Sequence, residues 1–287
     1  MASVPLWESR EVTVNVENLF GYNVVQYTLV SHVFTLGYAV MAAGLVYFLA
    51  NRSSAAPRYQ LASVLSAVVM VSAFFELWVL SERWGQAFTW NGTAYVQSDV
   101  LFSNGYRYMN WAIDVPVLLI QLLIVLGVTG RAFHLNWTMF VVGGLGMIYA
   151  GYAGQFHEVD RSPPYWVWGL VSTAFFLFLL ALVARVIFGS LARLPEPARN
   201  LARAVWWLVL ASWMLYPGAY LMPAMWDSAD GVVARQITYT VADITSKVVY
   251  GVLLSVIARK VSVAEGYTPA VEDDVARPRG GITAGAR

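Results

Sequence analysis

Two lysines occur in the sequence, and one of them, Lys247, lies in the middle of a long apolar segment. Lys260 ends the same segment, TYTVADITSKVVYGVLLSVIARK, where its ammonium group can reach water. Asp243 precedes Lys247 by four residues, so a helix would place both side chains on one face. A buried lysine needs a counter-charge, unless its amine condenses with an aldehyde to form a Schiff base. The pair therefore predicts either a structural ion pair or the attachment point of an aldehyde cofactor.

A second group of polar residues interrupts the apolar segment NGYRYMNWAIDVPVLLIQLL at helical spacing. Its members are Arg107, Asn110 or Trp111, Asp114, Leu118 and Gln121, which form one stripe along a helix. Arginine, amide and carboxylate groups are costly in lipid, so this stripe is expected to face the protein interior. We expect it to supply the neighbours of the buried lysine.

Apolar segments that could position these residues recur along the whole chain. Hydrophobic residues make up 59% of the 287 residues and charged residues 12%, against a usual charged fraction of about 25%. A membrane-spanning helix takes roughly 20 mostly apolar residues. We predict seven spans, near 22–50, 60–82, 104–129, 134–154, 164–190, 201–225 and 233–259. The chain is therefore predicted to be an all-α membrane protein.

Composition also argues against several classes of function. The 18 basic residues nearly cancel the 17 acidic residues, so the chain lacks the excess positive charge of a nucleic-acid-binding protein. The chain contains no cysteine, which excludes disulfides, thiolate metal sites and cysteine nucleophiles. Its three histidines, His32, His134 and His157, are too scattered for metal-ligand spacing. Soluble enzymes and DNA-binding proteins are therefore poor interpretations.

Basic residues predict the orientation, because cytoplasmic flanks of membrane helices collect arginine and lysine. They concentrate in the connections after the first, third and fifth spans and after the seventh. The N-terminus is therefore predicted outside and the C-terminus inside. We expect an N-terminal extracellular segment, 1–18, that forms a short capping helix, a membrane domain, 19–263, and a disordered cytoplasmic tail, 264–287.

Three motifs carry a family resemblance: RYxxWxxxxP in the third span, WxxYP at Trp213–Pro217 and DxxxK at Asp243–Lys247. Together they resemble the microbial rhodopsins, over nearly the whole chain apart from the tail. Within that family, the set Asn110, Asp114 and Gln121 resembles the light-driven sodium-pumping rhodopsins. The resemblance implies a bacteriorhodopsin-like fold, with seven transmembrane helices around all-trans retinal that is bound as a Schiff base to the lysine of the third motif.

Retinal needs a slot with flat walls, which aromatic side chains supply. The residues that the resemblance assigns to this slot, besides Lys247, are Trp111, Leu118, Trp213, Tyr216, Pro217, Tyr220, Tyr239 and Ser246. Membrane proteins also place Trp and Tyr in belts at the two membrane interfaces. The tryptophans expected in those belts are Trp78, Trp84, Trp90, Trp137, Trp206 and Trp207.

The resemblance also implies roles in ion transport. Asp114 would be the counterion and proton acceptor, and Asn110 with Asp243 would form a transient sodium site of oxygen ligands. The positive charge at the Schiff base would repel Na⁺, so its proton must move to Asp114 while the ion passes. Sodium would be the transported ion, with protons transported when sodium is absent.

Toward the cytoplasm, Gln121 stands where a proton pump keeps a carboxylic proton donor, and an amide cannot reprotonate a Schiff base. By resemblance, Gln121 and Ser72 would form the cytoplasmic gate, and Ser63 would lie near the ion entrance. On the outer side, Arg107 would separate the central cavity from the exit.

Two further sets resemble family sites near the outer surface. The set that resembles the family's ion-release cluster is Glu17, Glu158 and Arg235; the alternative is that these residues form weak surface ion pairs. Those of a pentamer interface are Tyr27, His32 and Asp99, where Tyr27 and Asp99 would hold a second, non-transported sodium ion.

Glu76 departs from the pattern of the sodium pumps, which have an aliphatic residue at this position of the second span. It lies one helical turn beyond Ser72. It could pair with a tyrosine or point toward the outer cavity. Our hypothesis is instead that Glu76 hydrogen-bonds Asp114 and that the two carboxylates titrate as a coupled pair.

The leading interpretation is an outward light-driven sodium pump in the prokaryotic plasma membrane, a transporter rather than an enzyme. Its expected partners are the lipid bilayer and other copies of the chain, in a pentamer by resemblance, with no nucleic acid and no soluble protein partner. An outward proton pump that uses Asp114 and a sensory rhodopsin that acts through a separate transducer stay open. A retinal-free receptor with seven helices would leave Lys247 unexplained.

Overall fold

The computed structural model describes residues 15–268, which are mainly helical. Within them the α-helices are α1 Val24–Asn51, α2 Pro57–Ala87, α3 Gly105–Val125, α4 Gly130–Gln155, α5 Pro163–Ser190, α6 Glu196–Trp213, α7 Leu215–Met225, α8 Ala229–Asp243 and α9 Tyr250–Ala264. α6 continues almost directly into α7, and α8 continues through a π-helical segment, Ile244–Val249, into α9. The described chain therefore forms seven helical rods, as predicted.

Six helices in the described range are long and apolar enough to cross a membrane. They are Val24–Ser54, Pro57–Ala87, Gly105–Val125, Pro163–Arg193, Glu196–Met225 and Ala229–Ala264. The predicted span 134–154 corresponds to α4, which does not reach this level because Asn136 and several glycines lower its mean hydropathy. α4 nevertheless packs along α3 and α5, so it completes the bundle.

The bundle has two distinct ends. The N-face carries a short 3-10 helix, Val16–Leu19, and a hairpin of two antiparallel strands, β1 Phe88–Trp90 and β2 Tyr95–Gln97. A single backbone bridge joins Tyr22 to β2. The C-face is the opposite end, where 52–56 connect α1 to α2. Which face lies outside the cell stays a prediction from the arginine distribution.

Local signals at the helix ends explain where several rods begin. The side chain of Asn23 accepts a hydrogen bond from Gln26 N, and Gln26 Oε1 accepts one from Asn23 N, which is a capping box at the start of α1. Pro57 and Pro163 occupy the first turns of α2 and α5, where a missing N–H costs nothing. Gly127, with φ of 66°, allows the tight connection from α3 to α4.

Two rods depart from regular α-helix next to residues that the motifs identified. Pro217 has no N–H to offer the carbonyl of Trp213, the residue at which α6 ends. In the seventh rod, the π-helical segment contains Lys247. Single π-turns inside α-helices often occur at functional sites. The spans predicted from hydropathy did not include either irregularity.

The predicted position of Trp84 in an interfacial belt is wrong. Trp84 is fully buried at the N-face end of α2, where its indole packs against Tyr22 and Phe102 and its Nε1 donates to Tyr27 O at 3.2 Å. The N-face therefore has an aromatic core beneath its hairpin. The belt tryptophans that are exposed on the bundle are Trp78, Trp90, Trp137 and Trp207.

The predicted terminal segments lie partly outside the described residues. Of the segment 1–18, residues 1–14 lie outside them, and Val16–Leu19 forms a short 3-10 helix at the N-face in which Val16, Glu17 and Asn18 are buried. Of the tail 264–287, residues 269–287 lie outside them. The three-part division of the chain stays a prediction.

Candidate functional site

Lys247 lies at the centre of a buried group of charges that we call the inner cluster, formed by Lys247, Arg107, Asp114, Asp243 and Glu76. Lys247 Nζ donates to Asn110 Oδ1 at 2.7 Å. It also lies 2.9 Å from Asp243 Oδ1, 3.1 Å from Asp114 Oδ2 and 3.7 Å from Glu76 Oε2. Both sequence interpretations of the Lys247–Asp243 pair are thus compatible with the geometry, because the amine is paired and also reaches a cavity.

Three rods position the inner cluster. The polar stripe of α3 faces inward as predicted, since Arg107, Asn110, Asp114 and Gln121 are all buried. α2 contributes Glu76, and the seventh rod contributes Asp243 and Lys247 at consecutive turns. The helical period of the stripe therefore does position the groups that the sequence suggested.

Asp243 and Asp114 have very different surroundings, although both contact Lys247. Asp243 Oδ1 accepts from Tyr216 Oη at 2.8 Å and from Trp111 Nε1 at 3.4 Å, and Oδ2 accepts from Arg107 Nη1 at 3.1 Å. Neither oxygen of Asp114 has a hydrogen-bond partner in the described part of the chain, apart from its ion pair with Lys247. Donors favour the charged form of a carboxylate. Asp114 is therefore the better placed of the two to accept a proton.

The predicted hydrogen bond between Glu76 and Asp114 is wrong. Glu76 Oε1 accepts from Arg107 Nη1 at 3.2 Å, and Glu76 Oε2 has no hydrogen-bond partner among the described residues. The guanidinium of Arg107 lies between Glu76 and Asp243 and forms an ion pair with each carboxylate. Glu76 is therefore bonded to Arg107 and not directly to Asp114. Glu76 still belongs to the same group of charges.

The predicted pairing of Gln121 with Ser72 is also wrong. Ser72 Oγ accepts from Asn110 Nδ2 at 2.7 Å, which turns the amide oxygen of Asn110 toward Lys247. Gln121 Nε2 donates to Ser66 Oγ. α2 and α3 run antiparallel, so once Ser72 is level with Asn110, the neighbour of Gln121 must come from earlier in α2. Ser66 was missed, although it lies one turn beyond Ser63, which is buried.

Toward the N-face, Glu17, Glu158 and Arg235 form a second buried group, the outer cluster. Arg235 donates to Glu158 from both terminal nitrogens, at 2.8 and 3.1 Å, and Arg235 Nη1 lies 3.3 Å from Glu17 Oε1. All three side chains are fully buried, so the alternative of surface ion pairs is wrong. Burial raises the pKa of Glu158, and the guanidinium of Arg235 opposes that rise.

A partly open cavity extends from Lys247 between α3, α4, α5, α6, α7 and the seventh rod. Its empty space, including the open part, is about 860 Å³. All the residues that the sequence assigned to the retinal slot line it: Trp111, Leu118, Trp213, Tyr216, Pro217, Tyr220, Tyr239, Ser246 and Lys247. Trp111 packs edge-on to Tyr216 with ring centroids 5.1 Å apart. Aromatic walls that lead to one lysine amine fit retinal.

The sequence missed the side of the cavity that α4 and α5 supply. These wall residues include Met147, Ile148, Gly151, Gly169, Thr173 and Phe176. They are ordinary membrane-helix residues with no motif or charge, so only the packing of α4 against α5 identifies them.

The predicted interface and sodium residues stay predictions. Tyr27 stacks on Tyr95 with ring centroids 3.7 Å apart, and His32 and Asp99 are exposed. Among residues 15–268, no group of three or more His, Asp or Glu side chains is arranged to hold a metal ion. Asn110 Oδ1 and Asp243 Oδ1 both contact Lys247 Nζ. A sodium site at these two residues would require Lys247 to give up those contacts.

Comparison with known proteins gives a consistent family. The family model for bacteriorhodopsin-like proteins matches residues 28–261. Bacteriorhodopsin-I from Haloarcula marismortui is 25% identical over 76% of this chain and 86% of its own length. A green-light absorbing proteorhodopsin from a gamma-proteobacterium is 21% identical over 82% of this chain and 88% of its own.

Solved structures agree with these matches. The structure of thermophilic rhodopsin superposes with a TM-score of 0.80 at 32% identity and covers 86% of this chain and 99% of its own. Xanthorhodopsin, described as a light-driven ion pump with dual chromophore, gives 0.77 at 29% identity, over 86% and 99%. Such proteins are multi-pass membrane pumps or photoreceptors rather than enzymes, and they bind retinal through a Schiff base. This chain belongs to the bacteriorhodopsin-like family.

Proposed function

We propose that this chain is an outward light-driven sodium pump that transports protons when sodium is absent. One observation carries the proposal: the buried carboxylates of the described residues lie level with Lys247 or toward the N-face. They are Glu17, Glu76, Asp114, Glu158 and Asp243. Between Lys247 and the C-face the corresponding polar pair is Gln121 with Ser66, an amide and a hydroxyl. Neither group can serve as a carboxylic proton donor from that side.

Retinal bound through Lys247 would supply light absorption, a photoisomerisation and a positive charge at the lysine nitrogen that can be lost and regained. The proton that leaves this nitrogen would pass to Asp114, whose Oδ2 lies 3.1 Å from Nζ. Asp243 accepts hydrogen bonds from Tyr216, Trp111 and Arg107. Asp114, which lacks such donors among the described residues, would therefore be the proton acceptor of the two.

Loss of the positive charge would create the cation site. Asn110 Oδ1 and Asp243 Oδ1 both bond the lysine nitrogen, at 2.7 and 2.9 Å. Once that nitrogen is neutral, these two oxygens no longer face a cation, and hard cations such as Na⁺ prefer oxygen ligands. Ser72 keeps the Asn110 oxygen in this direction. Return of the proton from Asp114 would restore the repulsion and favour departure toward the N-face.

The competing candidate is an outward proton pump. It is favoured by the same contact between Asp114 and Lys247, which would serve as acceptor and donor in either cycle. The two functions differ in the ion that crosses the membrane after the proton has reached Asp114.

The experiment that separates them measures the pH of an unbuffered suspension of retinal-supplied cells under illumination. We expect alkalinisation in NaCl that grows with a protonophore, because sodium leaves and protons follow passively. In KCl we expect acidification that a protonophore abolishes. Lys247→Ala is the colourless control, and Asp114→Asn should lose transport by roughly 10²-fold or more while keeping colour.

The proposal fails if acidification occurs in both salts and a protonophore abolishes it in both, which would identify a proton pump. A coloured protein with no pH response in either salt would instead support a sensory function.

A further inference from the structure

Gln236 bridges the inner and outer clusters. It is fully buried in α8, seven residues before Asp243 and therefore about 10 Å along the rod. Its Oε1 accepts from Arg107 Nη2 at 2.9 Å. Its Nε2 donates to Glu17 Oε1 at 2.7 Å and to Asn104 Oδ1 at 3.1 Å. A single amide therefore joins the guanidinium of one cluster to a carboxylate of the other.

The chemistry of its partners fixes the direction of this amide. A guanidinium can only donate, so it requires the oxygen of Gln236, whereas an ionised carboxylate can only accept and requires the nitrogen. A reversed amide would lose both contacts and place like groups against each other. The orientation that satisfies Arg107 is thus the one that also satisfies Glu17.

Arg107 has few other restraints on the side facing the outer cluster. Its Nη1 bonds Glu76 and Asp243, and its Nε has no hydrogen-bond partner in the described residues. The rings of Phe34 and Tyr239 lie 5.7 and 5.0 Å from its Cζ, which restricts its plane but gives no direction within that plane. The bond to Gln236 is what holds Nη2.

We propose that Gln236 is a positioning residue that ties the position of Arg107 to the charge on Glu17. When Glu17 is charged, it draws Nε2 and so presents Oε1 to Arg107. When a proton or a cation neutralises Glu17, its charge-assisted bond to Nε2 weakens, Asn104 stays as the second acceptor of Nε2, and the amide holds Arg107 less firmly. An amide neither gains nor loses a proton near neutral pH. Gln236 therefore couples the positions of its partners but does not carry protons between the two clusters.

Charged and titratable groups lie around this link on every packed element. On the inner side they are Glu76 of α2, Asp114 of α3, and Asp243 and Lys247 of the seventh rod. On the outer side they are Glu17, Glu158, Arg235 and Tyr239. Tyr239 is a competing route, because its ring also lies 5.7 Å from Arg235 Cζ.

A double-mutant cycle tests the link through the colour of the retinal-bound protein, which responds to the charge of the inner carboxylates. The quantity measured is the midpoint pH, defined as the pH at which half of the total change in visible absorption maximum is complete. We expect Glu17→Gln to move this midpoint by about 0.4 to 2 pH units, the range that corresponds to coupling between contacting residues. In a Gln236→Met background, which keeps side-chain length, the same substitution should move it by less than a third as much.

Thr240→Val is the matched control, since Thr240 is buried one turn further along α8 and, within residues 15–268, its hydroxyl bonds only the backbone oxygen of Gln236. In that background Glu17→Gln should keep its full effect. If Gln236→Met gives no coloured protein, Gln236→Leu replaces it in the cycle. An equal shift with and without the amide would overturn the proposal and favour Tyr239 as the link. No shift from Glu17→Gln in either background would overturn it as well. The readout does not depend on which ion is pumped.

Discussion

At the scale of single residues, the donors around each carboxylate separate their roles. Asp243 has three hydrogen-bond donors besides Lys247, whereas Asp114 has none among the described residues. Sequence alone could identify both residues as members of one site. It could not distinguish them, because the three donors lie on the third and sixth rods, whereas Asp243 itself lies on the seventh.

Glu76 leads to a prediction about the same carboxylates. The inner cluster has two cationic and three acidic side chains, so a buried arrangement near neutrality leaves one proton to be shared among the acids. Asp243 is held by donors, which leaves Glu76 and Asp114. We expect the visible absorption maximum of the wild type to titrate in two steps and that of Glu76→Gln in one.

Spectra between about pH 3 and pH 10 would check this expectation, with Glu82→Gln on the same helix as the control. Superimposable curves for wild type and Glu76→Gln would contradict it.

Other residue-level predictions succeeded or failed for identifiable reasons. Every expected slot residue lines the cavity, because the three motifs lie on helices whose period fixes their direction. Ser66 and Gln236 were missed as partners of Gln121 and Arg107. A hydrogen-bond partner on another helix depends on the vertical alignment of the two rods, and hydropathy does not reveal that alignment.

At the scale of elements, α4, α5 and α7 meet at a clasp of two tyrosines. Tyr165 and Tyr220 stack with ring centroids 4.9 Å apart, and each hydroxyl donates to the backbone oxygen of the other residue, at 2.7 and 3.2 Å. A methyl group at Gly154 of α4 would collide with the hydroxyl of Tyr220. The clasp borders the retinal cavity, since Tyr220 also lines it.

We therefore expect Gly154→Ala to lower the free energy of unfolding by about 1 to 3 kcal/mol, because overpacking displaces Tyr220. Gly218→Ala in α7 is the control: nothing lies within 4 Å of its added methyl, so the change should be neutral or stabilise by up to about 1 kcal/mol. Thermal bleaching of the coloured proteins would measure both. If Gly154→Ala and Gly218→Ala bleach at the same temperature, the contact between Gly154 and the tyrosine clasp does not contribute to stability.

The elements themselves were largely predictable, and their irregularities were not. Long apolar runs predicted seven rods, since a membrane requires them to be long and helical. The π-helical turn at Lys247 changes the register of one rod locally, and apolar runs do not report register. The break before Pro217 was available from the sequence, because proline removes the hydrogen bond to the residue four positions earlier.

At the scale of the whole molecule, the orientation in the membrane decides the direction of transport. The chain has no cysteine, so one introduced cysteine becomes a unique labelling target. Thr93 lies exposed at the hairpin of the N-face, and Ala192 lies exposed near the C-face end of α5. We expect a membrane-impermeant maleimide to label Thr93→Cys in intact cells.

Ala192→Cys should react only after the membrane is opened. If Ala192→Cys is labelled in intact cells and Thr93→Cys is not, the C-face lies outside the cell. The proposed pump would then move ions inward.

The outer cluster takes one of its three charges from outside the helical bundle. Glu17 lies in the turn Val16–Leu19, before α1, and its neighbour Val16 donates its backbone N–H to Glu158 at 3.1 Å. The proposed ion outlet would therefore be formed partly by the segment Val16–Leu19, which precedes the bundle. We expect a fusion partner attached before this segment to disturb ion release more than one attached after α9. A substitution that loosens this segment is therefore expected to change ion release and, through Glu17 and Gln236, the pH dependence of the colour as well.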